Sequence, residues 1–178
     1  LADHLSIRGF TVLEHSMGGG TALVAADEHP DRVVGLVLIS SIALSRHRGL
    51  GFPPRLVATL SHLLRVPVLN RLPLPLLRAF FRRRRFPRAD QMGPEAFAIH
   101  LRALGAADFP RLRRAVAGRL PPAIVAYAHD DHLVETWLSE ELARALPGSR
   151  VLAFTDGGHN LQKTRAVELA TAIRELLL

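Results

Sequence analysis

One short stretch, Thr11-Val12-Leu13-Glu14-His15-Ser16-Met17-Gly18-Gly19-Gly20, constrains this chain more than any other. Phe10 to Leu13 reads as a brief buried strand, and Met17 onward reads as a helix through Ala22, Leu23, Ala25 and Ala26. Ser16 stands between them. A strand that runs straight into a helix reverses so tightly that side chains at its shoulders collide, so the turn selects small residues. The turn also pushes the serine Oγ out of the sheet and aims the helix N-terminus at whatever binds there.

The rest of the chain supplies strands and helices to match. The first helix closes near His29-Pro30, because proline cannot continue it. Val33 to Ser40 is a nearly unbroken apolar run rich in β-branched residues, the pattern of a parallel strand buried on both faces. Ala123 to Ala128 reads as a second such strand. Thr136 to Leu146 reads as a helix stopped by Pro147-Gly148, and Arg150 to Phe154 as a short strand. Leu161 to Leu178 is an amphipathic helix. Leu1 to Leu5 resembles the last turns of a helix already under way.

Residues 45 to 120 break this rhythm. Pro53-Pro54, Pro67, Pro73, Pro75, Pro87, Pro94 and Pro110 punctuate a series of helices. Their apolar positions are Leu56, Leu60, Leu63 and Leu64, then Leu76, Leu77, Phe80 and Phe81, then Phe97, Leu101 and Leu104, then Leu112, Val116 and Leu120. A plain helical insert is one reading of them.

Glu14-x-Ser16-x-Gly18 resembles the nucleophile elbow of the α/β-hydrolase family, G-x-S-x-G, with Glu14 in place of its first glycine. The resemblance implies a partial α/β-hydrolase fold of class α/β, with a parallel sheet of about four strands from the elbow strand onward, flanked by helices. It implies hydrolase core at 1–44, a helical cap insertion at 45–120, and core again at 121–178. It also implies that the chain is the C-terminal portion of a longer hydrolase fold.

A serine hydroxyl is a weak nucleophile until a base takes its proton and a carboxylate orients that base. Ser16, Asp131 and His159 occur in the order that this fold uses. Asp131 follows a strand in Tyr127-Ala128-His129-Asp130-Asp131-His132-Leu133-Val134, which resembles the family's G-x-x-D-x-L-V loop. Asp130 is the alternative acid, and an Asp pair that caps the following helix is the structural one. His159 lies in Asp156-Gly157-Gly158-His159-Asn160, where the family keeps its base. His15 reads as a structural partner of the elbow. The oxyanion of an intermediate would meet the N–H of Met17, and the resemblance assigns the second donor to a loop upstream of Leu1.

These residues imply a serine hydrolase that cleaves an ester, thioester or related carbonyl compound through an acyl-enzyme. The substrate is expected to be a small molecule with an apolar portion. The alternative is a catalytically impaired relative that binds a ligand or partner, motivated by Glu14. No cofactor is expected. His129 to His132 could be read as metal ligands, but no cysteine and no helical His-x-x-x-His pair accompanies them.

The net charge of +7 comes almost wholly from arginine, Lys163 being the sole lysine. Arg82-Arg83-Arg84-Arg85, with Arg78 and Arg88 nearby, reads first as a solvated face. An anionic membrane surface is a weaker reading, and nucleic acid weaker still, since no aromatic ladder or nucleic-acid motif accompanies the run. The longest uncharged run, Val33 to Ser45, falls short of the roughly 20 residues that span a bilayer.

Overall fold

The computed structural model describes residues 2–48, 53–86 and 88–178. Its sheet consists of β1 (Phe10–His15), β2 (Val33–Ile39), β3 (Ala123–Ala128) and β4 (Arg150–Phe154), all parallel and adjacent in chain order. Parallel neighbours need crossovers. Among them are α1 (Gly18–Glu28) after β1 and α6 (Thr136–Ala145) after β3, while α7 (Leu161–Thr164) and α8 (Ala166–Leu177) follow β4. The register pairs His15 with Ile39, Ile39 with Ala126, and Ala128 with Phe154. The loops after β1, β3 and β4 therefore leave from one edge of the sheet.

Burial on both faces accounts for the uninterrupted apolar runs. On one face Leu36, Leu38, Val125 and Tyr127 pack with Ala22, Leu23, Ala26 and Leu142. On the other, Val37, Ile39, Ile124 and Ala126 pack with Leu161, Leu169 and Ala172. Each fully buried leucine or isoleucine here contributes about 1.5–3 kcal/mol relative to an exposed one. β1 is an outer strand of the sheet, and its Leu13 is half exposed.

The chain divides into two compact units, Leu1–His47 with Asp108–Leu178, and Arg48–Ala107. The second unit contains α2 (Pro54–Leu63), α3 (Leu74–Arg83), a 3₁₀ turn (Ala89–Gln91) and α4 (Pro94–Gly105), around a core of Leu64, Leu77, Phe81, Phe97 and Leu101. Proline in the first turn of α2, α3 and α4 presets φ where no intrahelical N–H bond is lost. The sequence carried this segment to 120, but α5 (Phe109–Ala117) belongs to the first unit. Its Leu112 joins the cluster of Ala22 and Leu23 and lies against Gly20.

Other boundaries also shift. Helical periodicity fixes a stripe but not its phase: Val57, not Leu56, is buried in α2, and Leu76 in α3 is 74% exposed. The expected helix 161–178 breaks at Arg165 (φ −128°, ψ 36°), whose guanidinium reaches back to Asp156. Before β1, Ile7 N–H donates to Ala2 O (2.9 Å) and Ser6 N–H to Asp3 O (3.1 Å), with Ser6 at φ 54°. That pair of bonds around a left-handed residue is how helices end. Leu1 and Pro87 lie outside the described residues. The arginine run closes α3, where cations meet the negative end of the helix dipole. Arg82 faces Asp90 at 3.5 Å, and Arg84 lies over the Phe80 ring.

Candidate active site

Ser16 has φ 59°, a left-handed conformation that costs a residue with a Cβ roughly 1–2 kcal/mol. The end of β2 holds it there. Ser16 N–H donates to Ile39 O (2.9 Å), and Ser16 O accepts from Ile42 N–H (3.0 Å) and Gly19 N–H (3.3 Å). Gly19 has no room for a side chain, since a Cβ there would sit 2.6 Å from Ser41 Cβ. A Cβ on Gly18 would fall on the Glu14 carboxylate. The half-buried Glu14 thus folds over the second shoulder of the turn and, among the described residues, forms no ion pair.

Met17 is the N-cap of α1, with no side-chain cap bond and no acidic residue in the first helical turn. The open N–H groups of a helix start attract anions. The Glu14 carboxylate lies against Gly18, the first residue of that helix.

The two remaining candidates meet. His159 Nδ1 lies 2.8 Å from Asp131 Oδ2, with the two side chains 9% and 3% exposed. The other Asp131 oxygen, Oδ1, accepts from Leu133 N–H (2.8 Å) and Val134 N–H (2.9 Å). Burial pushes the Asp131 carboxyl up, but the bonds from His159, Val134 and Leu133 and the pull of the imidazole outweigh it and hold the carboxyl below its ordinary range. An ionised carboxylate only accepts, so Nδ1 carries a proton and donates it to Asp131.

His15 connects this pair to the turn. Its Nε2–H donates to the backbone O of His159 (2.8 Å), and the two rings lie 4.5 Å apart at 51°. Burial lowers the pKa of His15; the bond to the His159 carbonyl opposes this, and the net direction favours the neutral ring. Since Ser16 follows His15 directly, the histidine loop is fastened beside the serine.

Two supporting residues were not assigned these roles from sequence. Asp130 accepts from Gly158 N–H (2.7 Å) and Gly157 N–H (3.3 Å), so the adjacent aspartates hold different parts of one loop. The buried His47 donates from Nε2 to Leu133 O and so braces the acid loop from the segment after β2. Asp130 stood in the motif as the alternative acid. His47 carried no pattern to mark it.

The family model for the alpha/beta hydrolase fold matches residues 1–166. A protein of Klebsiella pneumoniae subsp. pneumoniae named "Putative carbamate hydrolase RutD" is 30% identical over 180 residues, which cover 95% of this chain and 66% of that protein. A protein of the same name from Klebsiella variicola is 31% identical over 171 residues, covering 90% of this chain and 62% of its own. The chain thus spans a little under two thirds of the length of these curated relatives. Among solved structures, the enol-lactonase of Burkholderia xenovorans LB400 superimposes with a TM-score of 0.66 at 24% identity, over 99% of this chain and 68% of that one. The esterase EaEST of Exiguobacterium antarcticum gives 0.69 at 18%, over 99% and 70%. These likenesses establish a shared fold.

Proposed function

The chain belongs to the α/β-hydrolase fold family, and from that premise we propose that it is a serine hydrolase acting on a carbonyl compound through an acyl-enzyme. The observation that carries the reading is the buried Asp131–His159 bond, tied to the turn by His15, the residue that precedes Ser16. His159 Nε2 takes the Ser16 proton as Oγ attacks the carbonyl carbon. The N–H of Met17 helps to hold the oxyanion. As the intermediate collapses, His159 returns the proton to the leaving group. Water then attacks the acyl-enzyme with His159 again as base, regenerating Ser16 and releasing the acid. Asp131 keeps the imidazole in the required tautomer and stabilises its charged form.

Esters and thioesters fit this chemistry, and the name of the 30% identical relatives adds carbamates to the carbonyl compounds worth assaying. Arg48–Ala107 is inserted in the chain between β2 and β3, where the family inserts a helical cap, and by that resemblance the substrate carries an apolar portion. Stopped-flow turnover of p-nitrophenyl acetate tests the reading. A burst of nitrophenolate that matches the enzyme concentration and vanishes in Ser16→Ala supports it. Hydrolysis that persists in that variant refutes it.

A second reading, ligand binding without turnover, is favoured by Glu14. Its carboxylate lies against Gly18 and sets a negative charge beside the helix start where an oxyanion would form. Repulsion between two like charges about 5–10 Å apart in a watery setting is about 0.4–0.8 kcal/mol, so removing it speeds the reaction about two- to fourfold. Glu14→Gly should therefore raise turnover by that amount if Glu14 only slows an active enzyme. Turnover that appears only in the variant identifies the natural protein as impaired.

A further inference from the structure

Asp130 and Asp131 are consecutive, yet their carboxylates face different groups. Asp131 meets the imidazole of His159. Asp130 accepts from the N–H groups of the two residues that precede His159, through Oδ1 from Gly158 at 2.7 Å and through Oδ2 from Gly157 at 3.3 Å. Gly157 (φ 134°) and Gly158 (φ 64°) both occupy conformations that side chains rarely adopt. Such a pair is a pivot: without a constraint it permits a wide swing of the following residue.

The constraint comes from a rigid source. His129 N–H donates to Phe154 O (2.9 Å) and Asp131 N–H to Ala128 O (3.3 Å), so the turn that carries both aspartates is fastened to the ends of β3 and β4. The Gly157 carbonyl is held by Thr164 Oγ (2.7 Å), and the His159 carbonyl by His15. Between these points, among the described residues, the main chain entering His159 makes its side-chain hydrogen bonds with Asp130. The backbone approach and the imidazole of His159 are thus both referenced to one turn.

We propose that Asp130 is a positioning residue, a carboxylate clamp on the Gly157-Gly158 pivot that keeps His159 Nδ1 on Asp131. The proposal rests on the hydrolase reading above for its kinetic consequence. Its structural consequence stands without it. Asp130→Ala removes both acceptors, while Asp130→Asn keeps one. Hydrogen bonds to charged groups correspond to changes of roughly ten- to a hundredfold when lost.

Two measurements on the same three proteins test it. Amide exchange at Gly157 and Gly158, read by NMR with the His159 Nδ1–H resonance, should quicken at least about tenfold in Asp130→Ala, with the ring proton broadened or lost. On p-nitrophenyl acetate, kcat should fall about ten- to a hundredfold with KM within about twofold, and Asp130→Asn should recover part of the loss. If kcat is unchanged in Asp130→Ala while Ser16→Ala abolishes turnover, the clamp fails and the hydrolase reading survives. If the wild type shows no turnover, the hydrolase reading fails. The exchange data then decide the clamp by themselves, and unchanged exchange overturns it.

Discussion

Replacing Asp131 with asparagine keeps the side chain's shape and removes its charge, which isolates what the carboxylate contributes. The native carboxylate accepts from His159 Nδ1 through one oxygen and from the Leu133 and Val134 N–H groups through the other. An amide has only one acceptor oxygen. With that oxygen toward His159, the new NH₂ faces two backbone donors. With it toward the backbone, the NH₂ faces Nδ1 and drives the ring proton to Nε2, where the base needs a lone pair. The first orientation opposes buried donors at about 1–3 kcal/mol per unsatisfied group, so the second, in which every bond is made but through the wrong tautomer, prevails. Unfolding in urea at neutral pH should therefore show a loss of about 1–3 kcal/mol, since charge-assisted bonds have become neutral ones. Turnover should fall by about 10⁴, the scale of a wrong-tautomer triad in a well-studied serine protease. The pH dependence has a definite sign. Because Asp131 titrates below its ordinary value in the fold, its contribution is full above about pH 4 and is lost as pH falls through the lower folded value. The gap between wild type and variant should therefore close in acid. A variant within about threefold of wild-type turnover, with a stability gap independent of pH, would refute this account of the pair.

Three further expectations concern the same machinery. Ser16→Gly removes the strain of φ 59° against the entropy cost of glycine, so stability should hold or rise by up to about 1 kcal/mol while turnover is lost; a clear drop in stability would contradict the strain argument. Gly19→Ala sets a methyl 2.6 Å from Ser41 Cβ and should cost about 1–3 kcal/mol by thermal or urea unfolding, and an unchanged midpoint would show that the turn has slack. His15 has a lowered pKa in the fold, so its contribution is present above about pH 6.5 and lost as pH falls through that range; His15→Phe should flatten the stability profile between about pH 7 and 5.

The fold was legible wherever one physical cause dominates. Ala123 to Ala128 is a strand with the limits that its apolar run implies, because burial in a parallel sheet leaves little room for other residues, whereas Arg150 to Phe154, an outer and largely exposed strand, was marked by its alternation of apolar and polar residues. Helix limits were less legible, since they depend on tertiary contacts. Arg165 breaks the last helix by reaching for Asp156, and α5 joins the first unit because Leu112 packs on α1's partners. At the site, the family resemblance pointed to Ser16, Asp131 and His159 with Asp130 as the alternative acid, and the structure sets Asp131 on the His159 ring and Asp130 on Gly157 and Gly158. His15 could be suspected from its place beside the serine. His47 could not, because its role depends on where the loop after β2 meets Leu133.

The central claim is that Ser16 is an activated nucleophile with His159 as its base. The most direct test treats the folded protein with a fluorophosphonate and maps the adduct by peptide mass spectrometry. The account predicts one adduct on Ser16, absent in Ser16→Ala and strongly slowed in His159→Ala. A folded protein that takes no adduct, or takes it equally well without His159, would contradict it.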